Sequence, residues 1–420
     1  MPRVLLIATT TGYQTRAFGE AATALGIELV FATDRCDQLD DPWRDAAVAV
    51  RFHDEAASLA SIAERAQHQP VDGVLAVGDR PALFGAKAAL TLGVGGHQPA
   101  GVATCGNKLE TRRRLRDAGL PCPPFRQLLA ETDLETVGGE VGFPCVVKPL
   151  ALSASRGVIR ANDQVELRAA VARVRRLLAR GEMRQRREPS DALLVVESFV
   201  PGREYALEGV MEDGVLHVLA LFDKPDPLDG PYFEETIYVT PSDQPAARQE
   251  EIVGSVRAAT RALGLHHGPV HVECRVNERG VFVLEAAARP IGGLCARALT
   301  FHGGDHAIAS LEELLLRHAV GESVREYRLV PGASAVMMIP IPRGGTYRGV
   351  EGVPAARDVS GVVDVVVTAK QDQRLEPLPE GASYLGFIFA RAEQPADAVR
   401  AVRQAHEQLH FTVDAPIPIL

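Results

Sequence analysis

Two glutamates stand in the most strand-like part of this sequence, "VHVECRVNERGVFVLEAAARPIGG" (Val270 to Gly293). Glu273 and Glu285 each sit within an apolar run, Gly280 lies between the runs, and Arg289 and the pair Gly292-Gly293 follow. Opposed residues of an antiparallel hairpin share a face, so the two carboxylates meet only if the loop has an odd length. A three-residue loop, Glu278-Arg279-Gly280, pairs Asn277 with Val281 and therefore Glu273 with Glu285. Such a loop favours a left-handed residue in its last place, where Gly280 stands. Two carboxylates about 5 Å apart repel by roughly 3 kcal/mol at an effective dielectric near 20, and opposed like charges destabilise a sheet. A hard divalent cation turns that repulsion into a site, because Mg2+ takes carboxylate oxygens together with substrate phosphates. The bland alternatives are a solvated face for both, or an even loop that sends them to opposite faces.

Lysine is scarce here, which makes its positions informative. Of 45 basic residues only five are lysines: Lys87, Lys108, Lys148, Lys224 and Lys370. A compact ammonium is not interchangeable with a planar guanidinium, so a retained lysine marks a place where shape matters. Lys148 ends the apolar run "GFPCVVKPL" and is followed by "ALSASRGV". There Ser153, Ala154, Ser155 and Gly157 offer backbone N–H groups that can wrap phosphate oxygens, although GxxxxGK[ST] is absent.

Around these residues the chain organises itself by period. Over the first hundred residues "RVLLIAT", "IELVFATD" and "VDGVLAVGD" alternate with the helical stretches "QTRAFGEAATALG", "LASIAERAQ" and "PALFGAKAALTLG". That order predicts a doubly wound parallel sheet. Its first loop holds only Gly12 and Gly19 and lacks GxGxxG, which argues against a nicotinamide site. "GNKLETRRRLRDAGLPCPPF" predicts a helix with a capping-box-like start at Asn107 and Glu110, ended by Gly119. "QVELRAAVARVRRLLARG" predicts a basic amphipathic helix with a solvated face, and "EMRQRREPSD" a mobile surface segment. "ALLVVESFV" is a strand, and "REYALEGVMEDGVLHVLALFDK" a meander turning at Asp213-Gly214. The Pro-rich, aromatic "PDPLDGPYFEETIYVTPSDQP" suits a binding loop. "AARQEEIVGSVRAATRALGL" and "GGDHAIASLEELLLRHAVG" read as helices, and from about residue 326 a β-rich lobe begins with one helix at "PADAVRAVRQAHEQLH".

Taken in order, these pieces resemble the ATP-grasp superfamily over roughly residues 1–325. "NKLETRRRLRDAGLPCP" resembles its first lysine helix and "GFPCVVKPLALSASRGV" its second lysine strand and phosphate loop. "VVESFVPGREYALEG" resembles its adenine hinge and the opening hairpin its metal hairpin. "EAAARPIGG" and "YLGFIFARAEQPADAVRAV" look most like the carboxylate–amine ligase branch that includes the L-amino-acid ligases. The resemblance implies an α/β and α+β fold with four units. These are an N-terminal α/β domain (1–105), a subdomain with the lysine helix and phosphate loop (106–195), a subdomain with the hinge and hairpin (196–325), and a C-terminal β-rich lobe (326–420). It implies that Lys108 and Lys148 contact ATP phosphates together with Ser153, Ser155 and Gly157. Glu197 and the backbone of Ser198 to Val200 would hold adenine, and Glu204 the ribose. Glu273 and Glu285 would bind Mg2+, with Mn2+ as a substitute, and Arg289 would stabilise an acyl-phosphate. Many members carry asparagine two residues after the second glutamate, where this chain has Ala287.

The implied reaction joins a carboxylate to an amine, both amino-acid-like, with release of ADP and phosphate. The base for the amine stays open among His271, Glu235 and water. The alternative is a purine-pathway or carboxylase-type enzyme using bicarbonate or formate, but "ARPIGGLC" lacks the Gln-Val-Glu-His tail of a biotin carboxylase. His266, His267 and His271 match no zinc-ligand spacing, and Cys274 and Cys295 read as buried core thiols. A net charge of −9 argues against a nucleic-acid partner. There is no run of about 20 apolar residues for a membrane span. Six scattered cysteines without CxxC suggest a reduced, cytoplasmic protein; a homodimer is compatible with all of this.

Overall fold

The computed structural model describes residues 1–9, 13–34, 47–181, 183, 193–303 and 306–415. Gly12, Cys36 and most of "EMRQRREPSD" lie outside the described residues.

The N-terminal strands β1 (Arg3–Ala8), β2 (Glu28–Thr33), β3 (Val48–Ala49) and β4 (Gly73–Val77) form a parallel sheet in the order β3-β2-β1-β4. Helices α1 (Tyr13–Leu25), α2 (Glu55–His68) and α3 (Asp79–Leu92) connect them or follow them. This is the doubly wound arrangement that the alternating periods predict. Helix α4 (Pro99–Cys105) leads to α5 (Lys108–Asp117), whose Asn107 cap accepts from the N–H groups of Leu109 and Glu110 at 3.1 and 3.2 Å. Only half of the expected capping box forms, because the Glu110 carboxylate turns outward to Arg113 at 2.6 Å.

A second sheet, in the order β5-β8-β6-β7, consists of β5 (Phe125–Leu128), β6 (Cys145–Pro149), β7 (Ile159–Ala161) and β8 (Leu194–Ser198). Helices α6 (Leu134–Val141) and α7 (Gln164–Leu178) pack on it. A boundary at 195/196 cuts through β8, whose Glu197 and Ser198 pair with Val146 and Cys145. The hinge strand therefore belongs to the second-lysine sheet through its last residue.

The long strands β9 (Arg203–Glu212), β10 (Val215–Lys224), β11 (Ile237–Thr240), β12 (Gly268–Asn277) and β13 (Gly280–Ala287) are antiparallel. Beyond them come a three-stranded sheet of β14 (Thr300–Gly303), β15 (His306–Ser310) and β16 (Arg328–Leu329), then β17 (Ala333–Ile339), β18 (Gly345–Glu351), β19 (Val362–Val367), β20 (Arg374–Leu375), β21 (Gly386–Ala392) and β22 (His410–Asp414). "GGDHAIASLEELLLRHAVG" is thus not one helix: His306–Ser310 is strand, and the helix starts at Leu311 behind a Ser310–Glu313 capping box. The C-terminal lobe is not a separate layer either. Strands β17, β21 and β19 extend the large sheet in the order β13-β12-β9-β10-β11-β17-β21-β19. One apolar core then runs from Val4, Leu6 and Leu75 of the first sheet through Phe222 and Tyr238 to Phe387 and Phe389. It anchors the N-terminal domain and the C-terminal lobe against the same eight strands.

Candidate active site

The hairpin does not turn as its sequence suggests. Asn277 pairs with Gly280, so the loop has two residues, Glu278 and Arg279, and an even loop should set the glutamates on opposite faces. A β-bulge reverses that outcome. Between the pairs Cys274–Val283 and Glu273–Glu285 the partner strand carries one extra residue, Leu284, and the carboxylates face each other after all. Gly280 has φ +115°, which the tight turn requires.

The bulge is held by a residue that periodicity places on an ordinary basic helix. Arg112 of α5 is 2% exposed and donates to the carbonyls of Val283 and Leu284, both at 2.9 Å. The same guanidinium donates to Glu197 of β8 at 2.6 and 3.2 Å. Lys148 of β6 completes the group with an ion pair to Glu197. Burial opposes charge on Glu197, but Arg112 and Lys148 overcome it and hold the carboxyl down at about 2. Burial lowers the Lys148 ammonium despite Glu197, with Arg112 and Lys108 adding to the effect. The Glu197 side chain therefore orients Lys148, and its carboxylate is taken up by ion pairs.

One cleft, with room of about 260 Å³, collects most of the candidate residues. At one end lie Val146, Phe199, Val200, Leu228 and Phe233, with Phe199 and Phe233 stacked at 6.3 Å. Arg275, 3% exposed, fixes that end by donating to Val200 O at 2.9 Å, to Leu228 O and to Glu204 at 2.9 Å. In the middle are Lys108, Lys148, Ser153, Ala154 and Ser155. Lys108 donates to Leu152 O at 2.7 Å and stands 3.4 Å from Glu285. Gly157 does not join them. Its N–H is donated to Pro379 O at 2.8 Å, and a Cβ there would meet Pro149 at 3.1 Å, so it is a packing residue with its donor engaged.

At the far end are Glu273, Glu285, Ala287, Arg289 and the segment Pro290 to Gly293, facing Met338 and Tyr384 of the C-terminal lobe. Arg289 is fixed by Asp79, the first residue of α3, at 2.7 and 3.2 Å. Burial works against both charges, yet the pairing raises the Arg289 guanidinium and lowers the Asp79 carboxyl. Asp79 carries no motif, and the only sequence signal for it is its place at a strand end of a doubly wound domain, where such folds bind ligands.

Lys224 is the third lysine of the site. It is 4% exposed and lies 2.8 Å from Glu204, 2.5 Å from Glu235 and 3.1 Å from Glu273. Those three carboxylates are the one group among the described residues whose oxygens approach within 4.8 Å of one another as metal ligands would. Their ammonium partner stands where acidic oxygens converge, and burial, though it disfavours the charge, leaves Lys224 well above its ordinary value. The Tyr238 hydroxyl lies 2.9 Å from Glu235 and 3.2 Å from Glu273, its one proton shared between the two carboxylates. Burial, reinforced by Glu273, pushes the Glu235 carboxyl up to about 7. His271, opposite Ala287, sits between Glu208 at 3.0 Å and Glu273 at 3.6 Å, and against the cost of burial they raise it to about 9. Glu208 also accepts from Ile291 N–H at 3.1 Å, which ties the residue before the glycine pair to β9. Hard oxygen donors of this kind suit a divalent cation, and Glu273 belongs to the group, whereas Glu285 stands apart from it beside Lys108. Cys274 and Cys295 are buried and their thiols are pushed up by that burial, so neither is poised as a nucleophile. The His267 and His318 rings meet tilted at 36°, 4.2 Å apart, and neither His266 nor His267 lines the cleft.

Three family models match parts of this chain. The ATP-grasp domain matches residues 141–298, an ATP-grasp N-terminal domain residues 19–96, and the L-amino acid ligase C-terminal domain 2 residues 337–414. An uncharacterized protein, y4rH, of Sinorhizobium fredii is 27% identical over 76% of this chain and 63% of its own length. The alanine–anticapsin ligase of Bacillus subtilis is 26% identical over 49% of this chain and 46% of its own. The matches thus span about half to just under two thirds of these relatives. The crystal structure of an L-amino acid ligase from Bacillus licheniformis superposes with a TM-score of 0.81, at 26% identity, over 99% of both chains.

Proposed function

We propose, from the premise that this chain belongs to the ATP-grasp superfamily, that it is an ATP-dependent carboxylate–amine ligase forming an amide bond between two amino-acid-like molecules. One observation carries the reading. Two opposed hairpin carboxylates share a cleft with Lys108, Lys148 and Arg289, so metal-binding and anion-binding groups converge where a triphosphate must end.

In this reading the base of ATP lies between Phe199, Val200 and Phe233, and its phosphates lie along Lys148, Lys108 and the loop at Ser153 to Ser155. The substrate carboxylate attacks the γ-phosphorus, the bond to the β–γ bridging oxygen breaks, and ADP leaves an acyl-phosphate. The amine then adds to the acyl carbon, inorganic phosphate departs, and the nitrogen gives up a proton. Glu273 and Glu285 would hold Mg2+, which when bound would neutralise charge on the phosphates. Glu197 keeps Lys148 aimed into the cleft. Arg289 meets the charge that develops on the transferring group, and Asp79 holds its fork in the plane of approach. Gly292 and Gly293, which follow the Ile291 N–H held by Glu208, offer backbone N–H groups beside the acyl carbon. Met338 and Tyr384 bring the C-terminal lobe to the substrate end.

The test is phosphate release with ATP and Mg2+ across a matrix of paired amino acids, with products identified by mass. The expected result is release that needs both partners, an adduct heavier than either, and loss of release in Glu285→Gln. Phosphate appearing only with bicarbonate, or with no pair while Glu285→Gln binds ATP like the wild type, would sink the ligase reading.

A further inference from the structure

The phosphate loop carries a conformational problem of its own. Ala154 and Ser155 are consecutive non-glycine residues in the left-handed region, both at φ +54°. Each costs about 1–2 kcal/mol relative to ordinary backbone, so a free loop would relax out of this shape. Something outside the loop must hold it, and the contacts come from a segment more than 200 residues away. Gly157 N–H donates to Pro379 O at 2.8 Å and Arg156 Nε to Glu380 O at 2.7 Å. The Glu380 carboxylate takes a two-pronged ion pair from Arg173 of α7, at 2.6 and 2.8 Å, and Glu376 pairs with Arg180 at 2.7 Å. Arg173 also donates to Tyr232, whose ring it covers at 5.2 Å. The side-chain pairing raises Arg173 and lowers Glu380. The basic helix read from the sequence as a solvated face is therefore in part a docking face.

We propose that the stretch Glu376 to Gly381 of the C-terminal lobe is a strap that positions the phosphate loop, with Glu380 its principal positioning residue. The strap touches neither base nor metal carboxylates. It grips the two residues that follow the strained pair, and through Arg173 it fixes the helix that backs the sheet. The C-terminal lobe thereby sets the shape of a phosphate cradle whose residues all lie in another subdomain. The inference rests on the nucleotide reading of the cleft, and the experiment separates the two.

Full-length protein carrying Glu380→Ala, the near-isosteric Glu380→Gln, Arg173→Ala, or Glu380→Ala with Arg173→Ala would be titrated calorimetrically with ADP and, in competition, with adenosine. The expected result is five- to tenfold weaker ADP binding in each single variant and adenosine affinity within twofold of wild type. The double variant should be no worse than the weaker single variant. A general packing defect would weaken both ligands alike. Equal ADP affinity in wild type and Glu380→Gln, or effects that multiply in the double variant, would overturn the strap. If the wild type itself binds no ADP, the nucleotide reading fails with it; if the wild type binds and the variants match it, only the strap falls. Should Glu380→Ala not fold, Glu380→Gln alone carries the comparison.

Discussion

The hinge–hairpin end and the phosphate loop solve the same problem, holding charged groups at fixed places, by opposite means. At the hinge and hairpin two buried arginines each join a carboxylate to distant backbone carbonyls, Arg112 to those of strand β13 and Arg275 to those of the connections at Val200 and Leu228. Both are 3% exposed or less, so the charges have no alternative partner in water. The loop has a strained backbone and is gripped from outside by hydrogen bonds to a stretch that is itself held by ion pairs that solvent reaches; the Arg173 side chain is 38% exposed. A buried, satisfied network rigidifies, whereas exposed pairs contribute about 0–1 kcal/mol each and yield readily. The hairpin carboxylates thus sit on the stiff half and the small-residue loop on the half that can give.

The comparison breaks most severely at Arg112. Replacing it by methionine leaves Glu197 buried with only Lys148 and removes the donors to the bulge at Leu284. We expect a loss of about 3–5 kcal/mol in a denaturant melt and loss of activity beyond what stability explains, with Arg173→Met far milder. Equal effects at the two arginines would erase the distinction.

Acid titration sharpens the same contrast. The Glu197 carboxyl is depressed to about 2, so the stability it contributes is present above its unfolded value and is lost as pH falls through the window from about 4.5 to 2. Thermal melts between pH 5 and 2.5 should fall more steeply for wild type than for Glu197→Gln. Parallel curves would mean that the network is not the acid-sensitive element.

Asp79 tests the border between the halves. In Asp79→Asn, Arg289 keeps a neighbour but loses its ionic partner, so kcat should fall about tenfold while ADP affinity moves less than twofold. An unchanged kcat would leave Arg289 positioned by other contacts. The smallest effect is expected in the loop itself. Ala154→Gly removes the left-handed penalty at one residue and should stabilise by up to about 1 kcal/mol. No change, or destabilisation, would show that the strap was not working against strain.

How far the sequence reaches can be read from the hairpin. Glu273 opposite Glu285 followed from a three-residue loop that does not exist; the pair meets because the bulge at Leu284 cancels the error in the loop. Turn length is a local matter and Gly280 did mark the turn. A bulge, by contrast, forms where a partner can satisfy its carbonyls, and Arg112 lies 172 residues before Leu284. The lysines were legible because their rarity and their places at a helix start and a strand end are linear facts. Arg112 was not, since "RRRLR" offers four arginines within five positions and periodicity says only which face each takes.

What the sequence determined alone was the series of elements and the chemistry they carry: alternating β and α first, then a lysine helix, a lysine strand with a small-residue loop, a hinge, and a carboxylate hairpin before Arg289. Those are set by side-chain period, caps and turn residues within a dozen positions. Tertiary structure decided the pairings: Lys224 among three glutamates, Asp79 on Arg289 across 210 residues, and Glu380 on Arg173 across 207. Local pattern fixes which way a side chain points, but not which charge it will meet once eight strands have been laid side by side.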